Sequence, residues 1–242
     1  MCASNKDIIT RLRKEILPLQ GYKQQLNNTS FVNELGVIND SFPGGVFPLG
    51  VVHEFIASSP VEAVPASGFI AGILSSLLSD CGVLLWISAS RSLFPPAIKF
   101  FGVEPEKIIF IDLQKEKEVL WAAEEALKCK GITAVIAELK DLNFKVSRRL
   151  QLAVESSGVT GFILHQSKSY ATTACITRWR ITPATSQLND EMPGVGCPRW
   201  KVELLKVRNG KTGSWNLEWA FDKFKIIPEE NTLHQELHKK TG

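Results

Sequence analysis

The chain has 242 residues, of which 44% are hydrophobic and 22% are charged, and its formal net charge is +3 at pH 7. This composition is typical of a folded protein with one sizeable core and excludes a globally disordered chain. The mild positive charge permits contact with nucleic acid without indicating it, and no apolar run approaches the roughly 20 residues needed to cross a bilayer. Five scattered cysteines with no Cys-x-x-Cys pair are typical of reduced thiols, so we expect a soluble, cytoplasmic protein.

The first predicted element is an amphipathic helix over residues 6–19, in which Ile8, Leu12 and Ile16 recur at helical spacing. A polar connector follows it, so residues 1–30 are predicted to form a helix and connector ahead of the main domain. Such a helix can dock on its own core or on a partner protein, and the sequence favours neither. These three apolar residues are therefore candidate partner contacts.

Short apolar runs then alternate with helical patterns. Runs this short, with little internal alternation, are typical of parallel strands that are buried on both faces. Their alternation with helices predicts an α/β sheet with right-handed crossovers. The predicted strands span residues 51–56, 83–88, 108–111, 134–137 and 161–164. The predicted helices span residues 69–79, 96–101, 117–128 and 147–156.

The last third of the chain changes pattern. Residues 177–181, 200–204 and 215–219 alternate with period two, which predicts antiparallel strands, and the latter two are joined by a turn at residues 209–213. We therefore predict a main domain over residues 31–227. The remaining residues, 228–242, are polar and are expected to form a flexible tail.

The connection after the first predicted strand has the position of a phosphate loop without its chemistry. A phosphate loop needs a run of backbone N–H groups, a lysine for the β- and γ-phosphates and a hydroxyl for Mg²⁺. Residues 57–69 contain no lysine or arginine, they include Glu62, and Pro60 and Pro65 have no backbone N–H to donate. The sequence therefore predicts a degenerate site that cannot hold a triphosphate for hydrolysis.

Several stretches, in this order and spacing, resemble the ImuA family, which consists of RecA-like proteins encoded in bacterial damage-induced mutagenesis cassettes. The resemblance implies a three-layer RecA-like α/β core with a mostly parallel central sheet. It also implies an antiparallel β extension on the C-terminal side and an N-terminal helix. The stretches that carry the resemblance are residues 44–55, 93–103, 120–129, 148–153, 157–158, 177–180 and 200–210.

The resemblance also assigns positions in the nucleotide site. It places Ser67, Gly68 and Phe69 near the Gly-Lys-Thr of a RecA-like phosphate loop, and it places Ser90 near the glutamate that activates water. Serine cannot act as that base. The resemblance therefore implies a pseudo-NTPase with no catalytic residue, no metal site and no cofactor.

Two further polar positions keep their residue type. Glu138 follows the strand that resembles a Walker B strand, and Gln166 resembles the glutamine that senses nucleotide in RecA-like proteins. Both residues can equally be ordinary polar residues at strand ends. Without a lysine upstream, Glu138 has no bound triphosphate to serve, so we interpret both as vestigial.

Basic residues in the second half are candidate contacts for DNA or for a protein partner. The connections that resemble the DNA-binding loops of RecA-like recombinases are too short for a filament-type grip on a single strand. Direct DNA binding is therefore expected to be weak or indirect. The candidates are Arg148, Arg149, Arg178, Arg180, Lys206 and Arg208.

The resemblance implies a non-catalytic accessory protein of translesion DNA synthesis in the SOS response. The implied partners are an ImuB-type polymerase relative, an error-prone C-family polymerase and RecA, and a homo-oligomer is compatible with the sequence. Two alternatives stay open at this point. The first is an ATPase with an unconventional nucleotide site, and the second is a SulA-like cell-division inhibitor.

Overall fold

The computed structural model describes residues 35–77, 82–89, 93–167, 171–186 and 196–228. The predicted N-terminal helix with Ile8, Leu12 and Ile16, the predicted tail and Ser90 lie outside these ranges. Within them, no helix combines the length and the apolar character that a membrane crossing requires.

The described residues form one mixed sheet of nine strands in the order β3-β2-β4-β5-β1-β6-β7-β8-β9. Strands β1 to β6 pair with one another in parallel, and β7, β8 and β9 continue the sheet from β6 in antiparallel pairs. We call β6 to β9 the antiparallel extension. The strands are β1 (Val52–Ala57), β2 (Leu84–Ser88), β3 (Ile108–Asp112), β4 (Ala134–Leu139), β5 (Thr160–Gln166), β6 (Thr177–Ala184), β7 (Arg199–Val207), β8 (Gly213–Ala220) and β9 (Lys223–Ile227).

Helices cover the two faces of the parallel part. The described α-helices are α1 (Pro60–Leu77), α2 (Pro95–Ile98), α3 (Glu116–Lys128) and α4 (Phe144–Ser157). Helices α1 and α2 pack on one face, and α3 and α4 pack on the other, each with its own apolar cluster. The crossovers that move along the sheet in opposite directions lie on opposite faces, as right-handed crossovers require.

Local sequence accounts for the ends of the two outer helices. Helix α3 begins with Glu116 and Glu118 and ends with Lys128, so both of its ends carry charges that favour the helix dipole. Helix α4 is capped by Asn143, whose side chain accepts a hydrogen bond from the N–H of Val146. It stops at Gly158, where φ is 81°, which is a left-handed conformation that glycine adopts readily.

Alternation along the antiparallel extension buries an aromatic layer beneath α1. Trp179, Trp200 and Trp219 are buried and point to the α1 side of the sheet. Trp179 stacks on Phe55 of β1 with the ring centroids 6.2 Å apart, so this layer is continuous with the parallel part. The residues on the other face of the same strands are mostly polar, because no described helix covers that side.

The structure confirms the predicted fold class, which is α/β with a mostly parallel core and an antiparallel C-terminal extension. The five predicted parallel strands and the three antiparallel strands are all present, with ends that differ by at most three residues. One helix differs more, since α1 begins at Pro60 rather than at residue 69. A ninth strand, β9, was not predicted.

A buried histidine on β1 is held in its neutral form. His53 lies between the rings of Phe47 and Phe162, at centroid distances of 4.4 and 5.3 Å. Its Nε2 donates to the carbonyl of Pro48 (2.9 Å), and its Nδ1 accepts from the hydroxyl of Thr177 (2.7 Å). Burial lowers the pKa of His53 to about 3, against the hydrogen bond to Pro48, which acts to raise it.

His53 therefore makes stability depend on pH. The unfolded chain protonates this residue near pH 6.5, whereas the folded chain keeps it neutral down to about pH 3. The unfolded state binds more protons in this window, so the free energy of unfolding is largest above pH 6.5 and falls as the pH is lowered. Between pH 6.5 and 5.5 the loss due to His53 should be about 1 kcal/mol. Urea unfolding of the wild type and of His53→Gln at both pH values measures it, and equal losses in the two proteins would contradict the assignment.

Candidate functional site

A cleft of about 490 Å³ opens where the parallel strands end at their carboxyl termini. In α/β sheets this edge is where ligands bind. Six of the eight described residues that line the cleft are polar, and Lys140 is the only cation among them. Its polar lining consists of Ser58 after β1, Glu116 at the start of α3, Glu138 and Lys140 at the end of β4, and Gln166 and Ser167 at the end of β5.

The structure brings Glu138 and Gln166 together in this cleft, as strand ends in a shared edge require. Glu138 accepts a hydrogen bond from the indole N–H of Trp86 at 2.8 Å. Glu116 accepts one from the backbone N–H of Lys140 at 2.6 Å. Both carboxylates are thus held by groups of the protein itself, and they give the cleft an acidic lining.

The connection between β1 and α1 is shorter than a phosphate loop. Only Ser58 and Ser59 separate Ala57 from Pro60. The segment Ser59 to Glu62 has the S-x-x-E pattern of a capping box, which is a helix-start signal. The N–H of Glu62 bonds to the hydroxyl of Ser59 (3.3 Å), and the Glu62 carboxylate accepts from the N–H of Ser58 (2.8 Å). A carboxylate of the chain therefore lies where a phosphate loop would bind an anion.

The three residues that the resemblance places near a Gly-Lys-Thr lie away from the junction between β1 and α1. Ser67, Gly68 and Phe69 lie inside α1, two turns beyond its start, and all three are buried. The Ser67 hydroxyl donates to the carbonyl of Ala63, and Phe69 belongs to the aromatic layer. The helix begins instead at the capping box of Ser59 and Glu62.

Gly68 is a packing residue and not a phosphate-loop residue. A Cβ atom at this position would lie 2.9 Å from the ring of Phe101 and 3.2 Å from the ring of Trp200. At Gly72, one turn further on, a Cβ atom would lie 2.5 Å from Phe224 and 2.9 Å from Trp219. The two glycines therefore let the aromatic layer approach the backbone of α1 closely.

A buried polar cluster lies at the junction of β1, β5 and β6, and we call it the Glu54 cluster. The Glu54 carboxylate accepts hydrogen bonds from His165 (2.9 Å), from the hydroxyl of Thr173 (2.6 Å) and from Nε of Arg178 (2.9 Å). Burial by itself raises the pKa of Glu54, but these donors outweigh it and hold the pKa below its usual range. The cluster is therefore a charged network inside the fold, in which the Glu54 carboxylate has three donors and Nδ1 of His165 has no hydrogen-bond partner. Sequence reasoning missed it because the three donors are 111 to 124 residues away from Glu54.

Three of the six candidate basic residues support this cluster. Arg178 is buried and also donates to the carbonyl of Ala171. Lys206 donates to the carbonyl of Thr173 at 2.7 Å, and Arg208 donates to that of Ala174 at 3.3 Å. Burial also lowers the pKa of Lys206. These three cations hold the connection from β5 to β6.

The other three candidates lie apart from this connection. Arg148 and Arg149 are exposed on α4 and pair with Glu155 and Glu124. Arg180 lies on β6, where its guanidinium is 4.0 Å from the Glu203 carboxylate on β7. The six candidates therefore do not form one patch, although all of them have acidic or carbonyl partners.

No residue set among the described residues has the composition of a metal site with three or more ligands. The Cys175 thiol is buried, and burial raises its pKa to about 12, so it stays protonated near neutral pH.

Known proteins that are similar to this chain indicate its family. No protein-family profile matches the chain. Two curated proteins named Protein ImuA, from two strains of Caulobacter vibrioides, are each 33% identical to it over 195 residues. The alignment covers 75% of this chain and 80% of each relative. The chain belongs to the ImuA family. Membership confirms the resemblance found in the sequence.

The packing role of the glycines in α1 can be tested by adding a single methyl group. Gly72→Ala should lower the free energy of unfolding by about 1–3 kcal/mol, because overpacking against Phe224 and Trp219 exceeds the gain in helix propensity. Gly131→Ala is the matched control, since a Cβ atom there meets nothing within 4 Å, and it should change stability by less than about 0.5 kcal/mol. Urea unfolding gives both values. A Gly72→Ala protein as stable as the wild type would show that α1 has room at this position.

Proposed function

We propose that the chain is a non-catalytic accessory protein of damage-induced translesion DNA synthesis. It acts through protein contacts with an ImuB-type polymerase relative and an error-prone C-family polymerase, with RecA as a third candidate partner. Its fold is proposed to be a RecA-like core whose nucleotide chemistry has been lost. Membership of the ImuA family supports the pathway, and the junction between β1 and α1 supports the loss of catalysis.

One observation carries the non-catalytic assignment. At the junction between β1 and α1, the carboxylate of Glu62 accepts the N–H of Ser58. A triphosphate here would have to displace that carboxylate and would meet its negative charge. The junction has two residues, so it offers few further N–H donors, and no lysine follows them at the start of the helix. The parts of the site that remain, Glu138 and Gln166, have no anchored phosphates to act on.

Thermal melting in Mg-ATP tests this assignment. Millimolar Mg-ATP should leave the melting temperature unchanged, because a ligand that does not bind the folded state cannot stabilise it. A nucleotide bound at 100 times its Kd would add about 2.7 kcal/mol, which corresponds to a rise of roughly 5–10 °C for a chain of this size.

Turnover measurements separate the proposal from the ATPase alternative. If the wild type hydrolyses ATP and Glu138→Gln abolishes the activity, the chain is an ATPase and the proposal fails. Glu106→Gln is the matched control, since Glu106 is an exposed carboxylate in the turn before β3, outside the cleft. Activity that survives in both variants does not depend on Glu138, and the melting measurement then decides whether the chain binds nucleotide.

The partner assignment is tested with the N-terminal segment, which lies outside the described residues. Deleting residues 1–20 should abolish co-purification with the ImuB-type protein encoded in the same cassette. Replacing Ile8, Leu12 and Ile16 together by serine should have the same effect, because the predicted helix then loses its apolar face. Arg13→Ala, a change on the polar side of the same helix, is the control and should leave co-purification intact. Retained binding after the deletion would refute these contacts.

A further inference from the structure

The antiparallel extension presents a face that the described helices do not cover. Register and strand alternation place the paired residues of neighbouring strands on the same side of the sheet. The tryptophans take the side beneath α1, so the opposite side carries the charged residues. We call this side the basic face, and its cations are Arg180 on β6, Arg199 and Lys201 on β7, and Lys223 and Lys225 on β9.

Positive charge is concentrated in this part of the chain. Residues 171–186 and 196–228 contain nine lysines and arginines but only three acidic residues, whereas the net charge of the whole chain is +3. Two of the acidic residues, Glu203 and Glu218, lie on the basic face and pair with Arg180 and Arg199. The exposed lysines at the β9 edge, Lys223 and Lys225, keep the face positive. An electrostatic field of this kind attracts polyanions.

The turn between β8 and β9 exposes an aromatic ring at the end of the basic face. The turn has two residues, Phe221 and Asp222, with φ values of 54° and 56°. Turns of this shape favour Asn-Gly or Asp-Gly, and a bulky residue at positive φ is strained. Phe221 is nevertheless 98% exposed, so its ring gains almost nothing from packing within the chain. Strain without an internal benefit points to an external contact for this ring.

A basic surface with one projecting aromatic ring fits a single-stranded nucleic acid. Lysines and arginines neutralise phosphates, and an aromatic ring stacks on an unpaired base whatever its sequence. A protein interface would need an apolar centre, and Phe221 is the only large apolar side chain at this turn, with charged neighbours Asp222 and Lys223. A duplex keeps its bases stacked and offers no face to the ring.

We infer that the basic face binds single-stranded nucleic acid, with Phe221 stacking on an unpaired base and Lys223 and Lys225 contacting the flanking phosphates. This surface is separate from the cleft at the ends of β4 and β5 and from the connection that the Glu54 cluster holds. The inference goes beyond the proposed function, because it needs no partner protein and no nucleotide. The prediction from the sequence, by contrast, is that direct DNA binding is weak or indirect.

Fluorescence anisotropy with a labelled 20-nucleotide oligo(dT) tests the inference on the full chain. The wild type should bind, and a 20-base-pair duplex should bind at least tenfold more weakly. Phe221→Asn should weaken oligo(dT) binding about tenfold, because the stacked ring is lost. The same change should leave the melting temperature equal or higher, since asparagine tolerates positive φ. Lower affinity with unchanged or higher stability separates a contact from a folding defect.

The aromatic substitution and the charge reversal each have a matched control elsewhere on the surface. Trp121→Ala removes another exposed aromatic ring, on α3, and should leave the affinity within twofold of the wild type. Reversing charge at Lys223 and Lys225 together should weaken binding and reduce the slope of log K against log salt by about 1.4, if each contacts one phosphate. Reversing charge at Lys117 and Lys130, which are exposed on the α3 side, should leave that slope nearly unchanged.

The results that would overturn the inference differ from the result that would support it. No binding of oligo(dT) at low salt, or equal binding by Phe221→Asn and the wild type, would overturn the inference. Competition by poly-glutamate as strong as that by oligo(dT) would also overturn it, in favour of an acidic protein partner. A parallel measurement with oligo(rU) compares single-stranded RNA with single-stranded DNA as the natural ligand. Binding of either strand in preference to the duplex supports the inference. None of these results depends on Mg-ATP or on the ImuB-type partner, so the proposed function stands or fails separately.

Discussion

The hydrogen bonds to the Glu54 carboxylate determine how the parallel part of the sheet and the antiparallel extension are joined. Its strand, β1, lies between the parallel strands and the antiparallel extension, and its donors come from β5, from the β5–β6 connection and from β6. Removing one partner of such a buried pair typically costs 3–5 kcal/mol, because the remaining charge stays buried without compensation. An apolar residue would not fix the path of the connection in this way. The network thus specifies how the extension joins the core.

The parallel sheet could be predicted because each of its strands is a short, continuous apolar run. An apolar run is visible without knowing which strands pair, so the sequence alone indicates these strands. The start of α1 was missed for the opposite reason. Its signal is the pair Ser59 and Glu62, which was interpreted as part of a lost phosphate loop, and the apolar pattern of the helix becomes continuous only near Phe69. The family resemblance assigns residues to a phosphate loop only by their order along the chain. The capping bonds of Ser59 and Glu62 determine where the helix begins.

The site was less predictable than the fold because its contacts are long-range. Glu138 and Gln166 were found, since the ends of parallel strands must share an edge. Arg178, Lys206 and Arg208 are candidate contacts for DNA or a protein partner by sequence, and in the structure they bind a carboxylate or carbonyl groups within the fold. Neither strand alternation nor residue type distinguishes an exposed cation from one that donates hydrogen bonds to the β5–β6 connection. Only the β-bulge between Arg178 and Trp179 and the path of residues 171–176 decide it.

The Glu62 carboxylate at the start of α1 and the strained turn at Phe221 lie at the same edge of the sheet. Strand β6 runs parallel to β1, and β7 to β9 alternate in direction, so the β8–β9 turn lies at the edge where β1, β4 and β5 end. At one point of this edge Glu62 occupies a helix N-terminus that is suited to an anion, and at another Phe221 adopts a strained turn. Strained turns of this kind concentrate at functional sites. The edge that would handle nucleotide in an ATPase therefore has its anion position filled from within, and its exposed aromatic and basic groups lie in the extension, where contact with an outside molecule needs no nucleotide.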